Sequence, residues 1–577
     1  MKLEEFFDKS EDKSGGETVD GLAGMEDSAR QGRLDEAPPR YDYYVVGVGY
    51  DGEREAAYLK LYEPEGGKIY KWYDNSSHRP YCFSKLPVEE IEKIEAVTQH
   101  PGFLRIEMVE KYDALRDQRI HVSKIVAKDP LSIGGRPSGS IRDLIKAWEA
   151  DIKYVECYIY DRGIVPGMRY SLRDGELEES WPPVETVPLF EVRDGGEEYR
   201  RLLRHWITLL ECPVPDYIRA AVDIEVYSEA DRIPDPGEAS KPIICIGMIG
   251  SDGLKTVLLL KRNGVEEGVK ELPEGLELKY YEGEADLIRE AFSQMSRYPF
   301  IITFNGDDFD LNYLYHRALN LGFPRESIPI VLSRDSATLV NGIHIDLYKF
   351  FFNRSIQVYA FSQKYRENTL DEVGRAIIQA GKLEIDKPIS ELPYRDLAAY
   401  CFRDAEINLK LTSFNDNLVM KLITLLSRIS YLSMEDVSRQ GVSSWIRSML
   451  YREHRARGFL IPRSDEILEL KGFTTTRAVI KGKKYKGAIV VEPKPGIHFN
   501  VAVLDFASLY PSIIKVWNLG YETVLCPHED PECRENKVPD TPLWVCKKNT
   551  SLESLLIGSL RDLRVKWYKP RSKDKNI

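Results

Sequence analysis

At 577 residues with 43% hydrophobic side chains, the chain is too long for a single core and too apolar for a disordered protein. A net charge of −12 argues against a general nucleic-acid coat, and no run of about 18 apolar residues is present to cross a membrane. Eight cysteines over this length exclude a disulfide scaffold.

Residues 1–40 are rich in Glu, Asp, Gly and Ser and carry 11 acidic against 6 basic side chains, which predicts a disordered acidic arm. Its opening, MKLEEFFDKSEDKSGG, is too acidic for a secretory signal, which points to an intracellular protein. Leu3, Phe6 and Phe7 form a small apolar cluster within the arm. Over 41–172 short strands and helices follow. Val45–Val48 and Ala56–Leu61 read as a hairpin around Asp51-Gly52, and Ile141–Trp148 as a helix. Within 173–412, apolar strands alternate with helical segments from Pro213 to Thr412, the pattern of an α/β domain. Residues 413–470 have helical periodicity inside a linker drawn at 413–490. Strand character returns over 485–515, spanning the start of a unit at 491–545. Leu552–Lys569 reads as an amphipathic helix within 546–577. Residues 547–577 carry 9 basic and 3 acidic side chains, which suits DNA held in a local groove or a solvated basic tail. The expected fold class is a mixed α/β multidomain assembly.

Three short elements carry acids in patterns suited to metal chemistry. Ala220–Val226 reads as a strand, so Asp223 and Glu225 share one face while Val222, Ile224 and Val226 share the other. Two carboxylates side by side repel unless a cation sits between them, although Asp-x-Glu alone is often a solvated face. Next, the apolar run Phe300–Phe304 leads into a turn at Asn305-Gly306 and a helix bearing Asp310. Asp307 and Asp308 read as helix-start acids favoured by the dipole, and Asp346 as structural. Third, Tyr400 and Asp404 stand four apart on a helix and address the same point. Further along, Val501–Leu504 reads as a buried strand delivering Asp505 at its end, opening Asp-Phe-Ala-Ser-Leu-Tyr-Pro-Ser-Ile-Ile. Cys526, Cys533 and Cys546 cluster around His528. Their spacing departs from paired Cys-x-x-Cys knuckles, which disfavours zinc and leaves a Cys533–Cys546 disulfide or reduced buried thiols.

Asp-Ile-Glu, then Asn-x-x-x-Phe-Asp, then Tyr-x-x-x-Asp resemble the three exonuclease motifs of family B DNA polymerases, and the decapeptide from Asp505 resembles their first polymerase motif. The resemblance spans roughly 41–570, with archaeal members closest in character. It implies an N-terminal template-reading domain, an RNase H-like 3′→5′ exonuclease domain, a partial palm and a partial fingers. It implies that Asp223, Glu225, Asp310 and Asp404 hold two Mg²⁺ ions, that Tyr400 orients the attacking water, and that Asn305 and Phe309 hold the frayed 3′ end. Asp505 would bind metal for nucleotidyl transfer, the backbone of Ser508 and Leu509 the triphosphate, and Tyr510 would exclude a ribose. Tyr485 and Gly487, in Tyr-Lys-Gly-Ala, resemble a template-contacting element whose last glycine is Ala488 here. Arg564, with Lys566 or Lys569, would face dNTP from the first fingers helix. Tyr50, Pro80, Tyr81, Val122 and Trp148 resemble a uracil-sensing pocket, with ordinary aromatic packing as the alternative. The resemblance also implies a disulfide at Cys533 and Cys546.

No Asp-Thr-Asp occurs in the 577 residues, so the second palm carboxylates are missing. The resemblance then points to the large subunit of a two-chain polymerase. A small subunit would bring the remaining palm, fingers and thumb and complete a two-Mg²⁺ polymerase site. A free-standing exonuclease and an artificial truncation are the alternatives. Primer-template DNA and dNTPs are the expected substrates, and the Leu3/Phe6/Phe7 cluster half-matches a sliding-clamp peptide. The expected location is cytoplasmic, at the nucleoid.

Overall fold

The computed structural model describes residues 36, 38, 42–135, 139–181, 196–228, 234–472, 479–480, 483–484, 492, 494–506, 508–539 and 541–573. The expected acidic arm, apart from residues 36 and 38, lies outside them, as do Leu3, Phe6, Phe7, Tyr485 and Gly487.

The chain opens with the hairpin that Asp51-Gly52 predicts. Strands β1 (Asp42–Asp51) and β2 (Ala56–Glu63) pair antiparallel, then β3 (Lys68–Tyr73) joins β2. In β1, Tyr43 and Val45 enter one hydrophobic core while Tyr44 and Val46 enter another, the period-2 alternation of a strand buried on both faces. A second sheet has the order β4-β6-β5, from β4 (Tyr81–Ser84), β5 (Phe103–Asp113) and β6 (Gln118–Ala127). Strands β7 (Arg169–Arg173) and β8 (Glu176–Glu179) close the first sheet beside β1.

The helix expected over Ile141–Trp148 stops at Leu144. Trp148 instead forms a bridge with Phe83, donating N–H to its carbonyl at 2.8 Å and accepting at 3.0 Å. The Trp148 indole N–H reaches the Glu466 carboxylate at 2.6 Å, so a tertiary partner overrides the helical pattern.

The next unit is a six-stranded sheet of order β12-β11-β10-β9-β13-β16. Its strands are β9 (Arg219–Val226), β10 (Ile243–Gly250), β11 (Lys255–Leu260), β12 (Glu277–Tyr281), β13 (Phe300–Thr303) and β16 (Ile343–Asp346), with the small hairpin of β14 (Ile330–Leu332) and β15 (Ala337–Leu339) between the last two. β9 runs antiparallel to β10 and parallel to β13. The Ala220, Val222, Ile224 and Val226 side of β9 packs against Leu287, Ile288 and Ala291 of helix Glu284–Met295 and Leu311 and Leu314 of helix Asp310–Asn320. The opposite side faces helix Tyr394–Ser430, whose Leu397, Ala398, Cys401 and Phe402 lie in the adjoining core. That helix is interrupted by non-helical backbone at Phe414–Asn417.

Arg428, fully buried in its second half, ties the units together. Its guanidinium donates to the carbonyls of Gly167, Leu209, Cys212 and Pro213 at 2.7–3.0 Å, satisfying four acceptors of which the first three belong to buried residues. Helices Met434–Arg439, Val442–Ala456 and Ser464–Lys471 follow, as the periodicity predicts.

The strand expected over Val501–Leu504 is not formed. Residues 501–506 have no regular structure, and Val503 and Leu504 are 87% and 94% exposed. A strand needs a neighbour to take its backbone hydrogen bonds. Among the described residues none pairs with this run. Asp505 is therefore exposed rather than held at a strand end. Helix Leu509–Val516 follows and packs on helix Leu552–Asp562, which continues through a π-helical turn at Leu563–Tyr568. The amphipathic helix predicted over Leu552–Lys569 thus forms with a widened second half. Its Leu555, Leu556 and Leu563 complete the core that contains Tyr199 and Trp206 of helix Glu197–Glu211.

Glu522 buttresses this helix by accepting from the Leu552 N–H at 2.6 Å. Burial, with the Glu553 carboxylate next to it, pushes its carboxyl up to about 8. The unfolded residue loses its proton near pH 4.5, so the folded chain binds more protons between there and pH 8, and stability falls as pH rises through that window. Glu522→Gln is expected to remove roughly 1–3 kcal/mol of this loss between pH 5 and pH 8, read from denaturation midpoints at both values.

Candidate active site

Parallel pairing of β9 with β13 brings the C-terminal ends of both strands to one edge of the sheet. β9 delivers Asp223 and Glu225 there, and the turn after β13 delivers Asn305 through Asp310. Asp310 opens helix Asp310–Asn320, and its Oδ1 accepts the Ile224 N–H at 3.2 Å, which fastens the helix start to the acid-bearing strand. Helix Tyr394–Ser430 crosses over the same face with Asp404 and, one turn earlier, Tyr400. The crossing is close because Gly247, cross-strand partner of Asp223, has no side chain. A Cβ there would stand 3.0 Å from the Cys401 carbonyl oxygen.

Glu225, Asp310 and Asp404 are buried and Asp223 is half-buried. Burial raises all four carboxyls, and repulsion from the others adds to it at Asp223 and Glu225. Asp223 stands well above the usual carboxylate range, pushed first by burial and then by Asp404, Asp310 and Glu225. Glu225 is pushed up to about 8 by burial and by Asp404. Asp310 rises to about 7 through burial, against the pull of the Ile224 N–H. Asp404 rises through burial despite the Lys382 ammonium 2.6 Å away. Tyr400 is pushed up to about 12 by burial and lies with its ring 5.5 Å from that same ammonium.

This donor set fits hard divalent cations. It offers only carboxylate oxygens, Asp404 Oδ1 is buried without a hydrogen-bond partner, and positive charge is what four crowded acids require. Asp223, Glu225 and the Cys401 sulfur also come within 4.8 Å of one another, with Cys401 Sγ 3.9 Å from Asp223 Oδ2. Lys382 and Cys401 were not legible beforehand. Lys382 sits on a loop 22 residues before Asp404, and nothing local links the two.

The turn carrying Asn305 and Phe309 is braced from behind. Asp346 accepts from the backbone N–H of Asn305 at 2.8 Å and of Asp307 at 3.1 Å, and it caps the helix at Leu347. Asp307 is buried in a bidentate pair with Arg439 at 2.8 and 2.9 Å. Burial opposes its ionisation, but His344 and Arg439 outweigh it and hold the carboxyl far below the usual range. Asn305 adopts φ +73°, and the Phe309 ring lies half-buried against Tyr313.

The polymerase-motif residues are only partly assembled. Arg564 Nη1 donates to the Ser508 hydroxyl at 2.8 Å, and Arg561 Nε to the Ser512 hydroxyl at 3.0 Å, so the two helices meet at the motif. Leu509 and Tyr510 are exposed, as is Asp505.

The five uracil-pocket candidates fall into two groups that meet at Tyr81. Pro80 and Tyr81 line a cavity of about 160 Å³ together with Ile152, Lys153 and Tyr154. Tyr50 lies next to Tyr154 with its hydroxyl on the Lys128 carbonyl. Val122 and Trp148 pack with Phe83 and Leu460, and Tyr81 lies against that cluster from the neighbouring strand β4. The Cys533–Cys546 disulfide is not formed either. Both are free thiols with sulfurs 4.0 Å apart, and Cys526 and His528 crowd the same point.

Two family models match the chain: DNA polymerase family B, exonuclease domain, over residues 145–363, and DNA polymerase family B over residues 432–563. DNA polymerase 1 of Sulfolobus acidocaldarius is 43% identical over 545 residues, covering 93% of this chain and 61% of that protein. DNA polymerase 1 of Aeropyrum pernix is 41% identical, covering 92% and 56%. The chain therefore spans about three-fifths of the length of these curated relatives. The structure of the family B DNA polymerase from the archaeon Pyrobaculum calidifontis matches in fold with a TM-score of 0.64 at 22% identity, covering 92% of this chain and 64% of that one.

Proposed function

The chain belongs to DNA polymerase family B, and we propose that it trims DNA from the 3′ end at one site and contributes part of a second site that extends primers from dNTPs. The convergence of Asp223, Glu225, Asp310 and Asp404 under one helix carries the nuclease reading. These four would hold two Mg²⁺ ions, which when bound supply a hydroxide and clamp the scissile phosphate. Tyr400 would position the attacking water, and Asn305 and Phe309 the unpaired 3′ nucleotide.

The synthetic half rests on Asp505, Ser508, Leu509, Tyr510 and Arg564. Its support is the Arg564–Ser508 contact and the exposed apolar run Val501–Phe506, which needs a covering sheet. The remaining palm carboxylates would come from outside these 577 residues.

A gel assay tests both parts. The purified chain with a 5′-labelled primer on a template should shorten the primer in Mg²⁺, stop with EDTA, and not extend it with dNTPs. Extension should appear when residues homologous to the rest of the palm, fingers and thumb are added as a separate chain. No shortening would refute the nuclease reading. Extension by the chain alone would refute the incomplete palm.

A further inference from the structure

Residues Asn518–Ser551 follow the first polymerase motif and contain almost no regular structure beyond helix Pro531–Arg534 and isolated bridges at Val524–Val545 and Lys537–Trp544. Among the described residues, they hold an apolar cluster made of sulfur: Cys526, Cys533 and Cys546, each at most 2% exposed, with Trp544 packed beside them. Three thiols and Val545, with half-buried Trp544 beside them, offer little apolar surface to hold such a segment by burial alone.

The imidazole of His528 completes the group. The ligand atoms of Cys526, His528, Cys533 and Cys546 all lie within 4.8 Å of one another. Cys533 Sγ is 4.0 Å from Cys546 Sγ, and His528 Nδ1 is 3.9 Å and 3.3 Å from those two sulfurs. A tetrahedral zinc with Zn–S near 2.3 Å and Zn–N near 2.1 Å has edges of roughly 3.5–3.8 Å, which these separations approach.

The surroundings are those of a metal-bound thiolate cluster. Backbone N–H groups of Lys547 and Asn549 point at the sulfurs of Cys533 and Cys546, at 3.4 and 3.3 Å, where they stabilise negative sulfur. On the far side of the ring, His528 Nε2 lies 2.5 Å from Asp117 Oδ2. The carboxylate there accepts a hydrogen bond from Nε2–H, which keeps the proton on Nε2 and leaves the Nδ1 lone pair facing the sulfurs, the arrangement that orients a metal-ligating histidine. Asp117 is itself held by the Tyr112 hydroxyl, in the turn between β5 and β6.

We propose that Cys526, His528, Cys533 and Cys546 bind one structural zinc ion, which fastens the segment after Asp505 to the β5–β6 turn. All four positions are protein ligands and the sulfurs are buried, so the site is closed and offers no place for substrate. Local spacing hid it, because Cys-x-His followed by two isolated cysteines is not a paired-knuckle pattern.

The test uses the full chain with Asp223→Ala and Glu225→Ala, so that the carboxylate site does not contribute metal. Elemental analysis should find about one zinc per chain, released when an organomercurial blocks the thiols. Cobalt in place of zinc should give the intense visible bands of a tetrahedral thiolate site in the otherwise unaltered ligand set. Cys533→Ser should lose the metal, whereas Cys82→Ser, whose thiol is buried in the β4-β6-β5 sheet's core, should keep it. Asp117→Asn should weaken zinc binding by about 10–100-fold in competition with a chelator. A chain that takes up neither zinc nor cobalt with its thiols reduced overturns the proposal. So does a native Cys533–Cys546 disulfide seen as a linked peptide pair.

Discussion

Asp404→Ala is expected to lower 3′ trimming by about 10³-fold or more, a loss of several kcal/mol of transition-state stabilisation. Asp404 enters the site from a different element than Asp223 and Glu225, and its Oδ1 is buried with no other use. Initial rates on a 5′-labelled single strand in saturating Mg²⁺ measure the effect. The chain should stay folded, because removing one of four crowded acids relieves repulsion. Lys382 then loses its partner, but it is partly exposed and can turn to water. A variant with near-normal trimming would show that the metal site lies elsewhere. Asp346→Asn is the informative contrast. Asp346 is also a buried acid near the site, but its oxygens are spent on the backbone of Asn305, Asp307 and Tyr348. Its replacement should loosen the turn and cost far less in rate.

Arg439→Met is expected to destabilise the chain by about 3–5 kcal/mol, measured by denaturant unfolding of the unit that contains it. The guanidinium donates twice to Asp307 and once to the Ala337 carbonyl, and Asp307 has no exposed surface through which water could replace it. Without Arg439 a buried carboxylate keeps only the Lys349 ammonium at 3.2 Å, His344 and the Ala337 N–H. Asp307→Leu combined with Arg439→Met should recover part of the loss, since removing both charges leaves nothing unpaired. Trimming should fall about tenfold or more in the single variant, because the Asp307 turn sets the positions of Asn305, Phe309 and Asp310. A double variant no more stable than the single one would mean that packing, rather than charge, holds this turn.

The clustered acids Asp223, Glu225 and Asp404 were legible in the sequence because each lies in a regular element whose periodicity dictates direction. On β9 the alternation of Val222, Ile224 and Val226 forces Asp223 and Glu225 to the other face, and on a helix four residues separate Tyr400 and Asp404 by about one turn. The alternation of apolar strands with helical segments from Pro213 to Thr412 was also legible in the sequence, and the structure has it. Tertiary structure decided what depends on partners far along the chain. Lys382 meets Asp404, Arg439 meets Asp307, and Arg428 gathers four carbonyls, all through folding that no local pattern encodes. Trp148 left its predicted helix because Phe83 and Glu466 offered better bonds than the next turn. Val501–Leu504 reads as a strand but has no pairing partner among the described residues, since a strand's hydrogen bonds belong to its neighbour. The cysteine cluster follows the same rule: the sequence grouped Cys526, Cys533 and Cys546 with His528, and only folding brought their ligand atoms together and set Asp117 behind the ring.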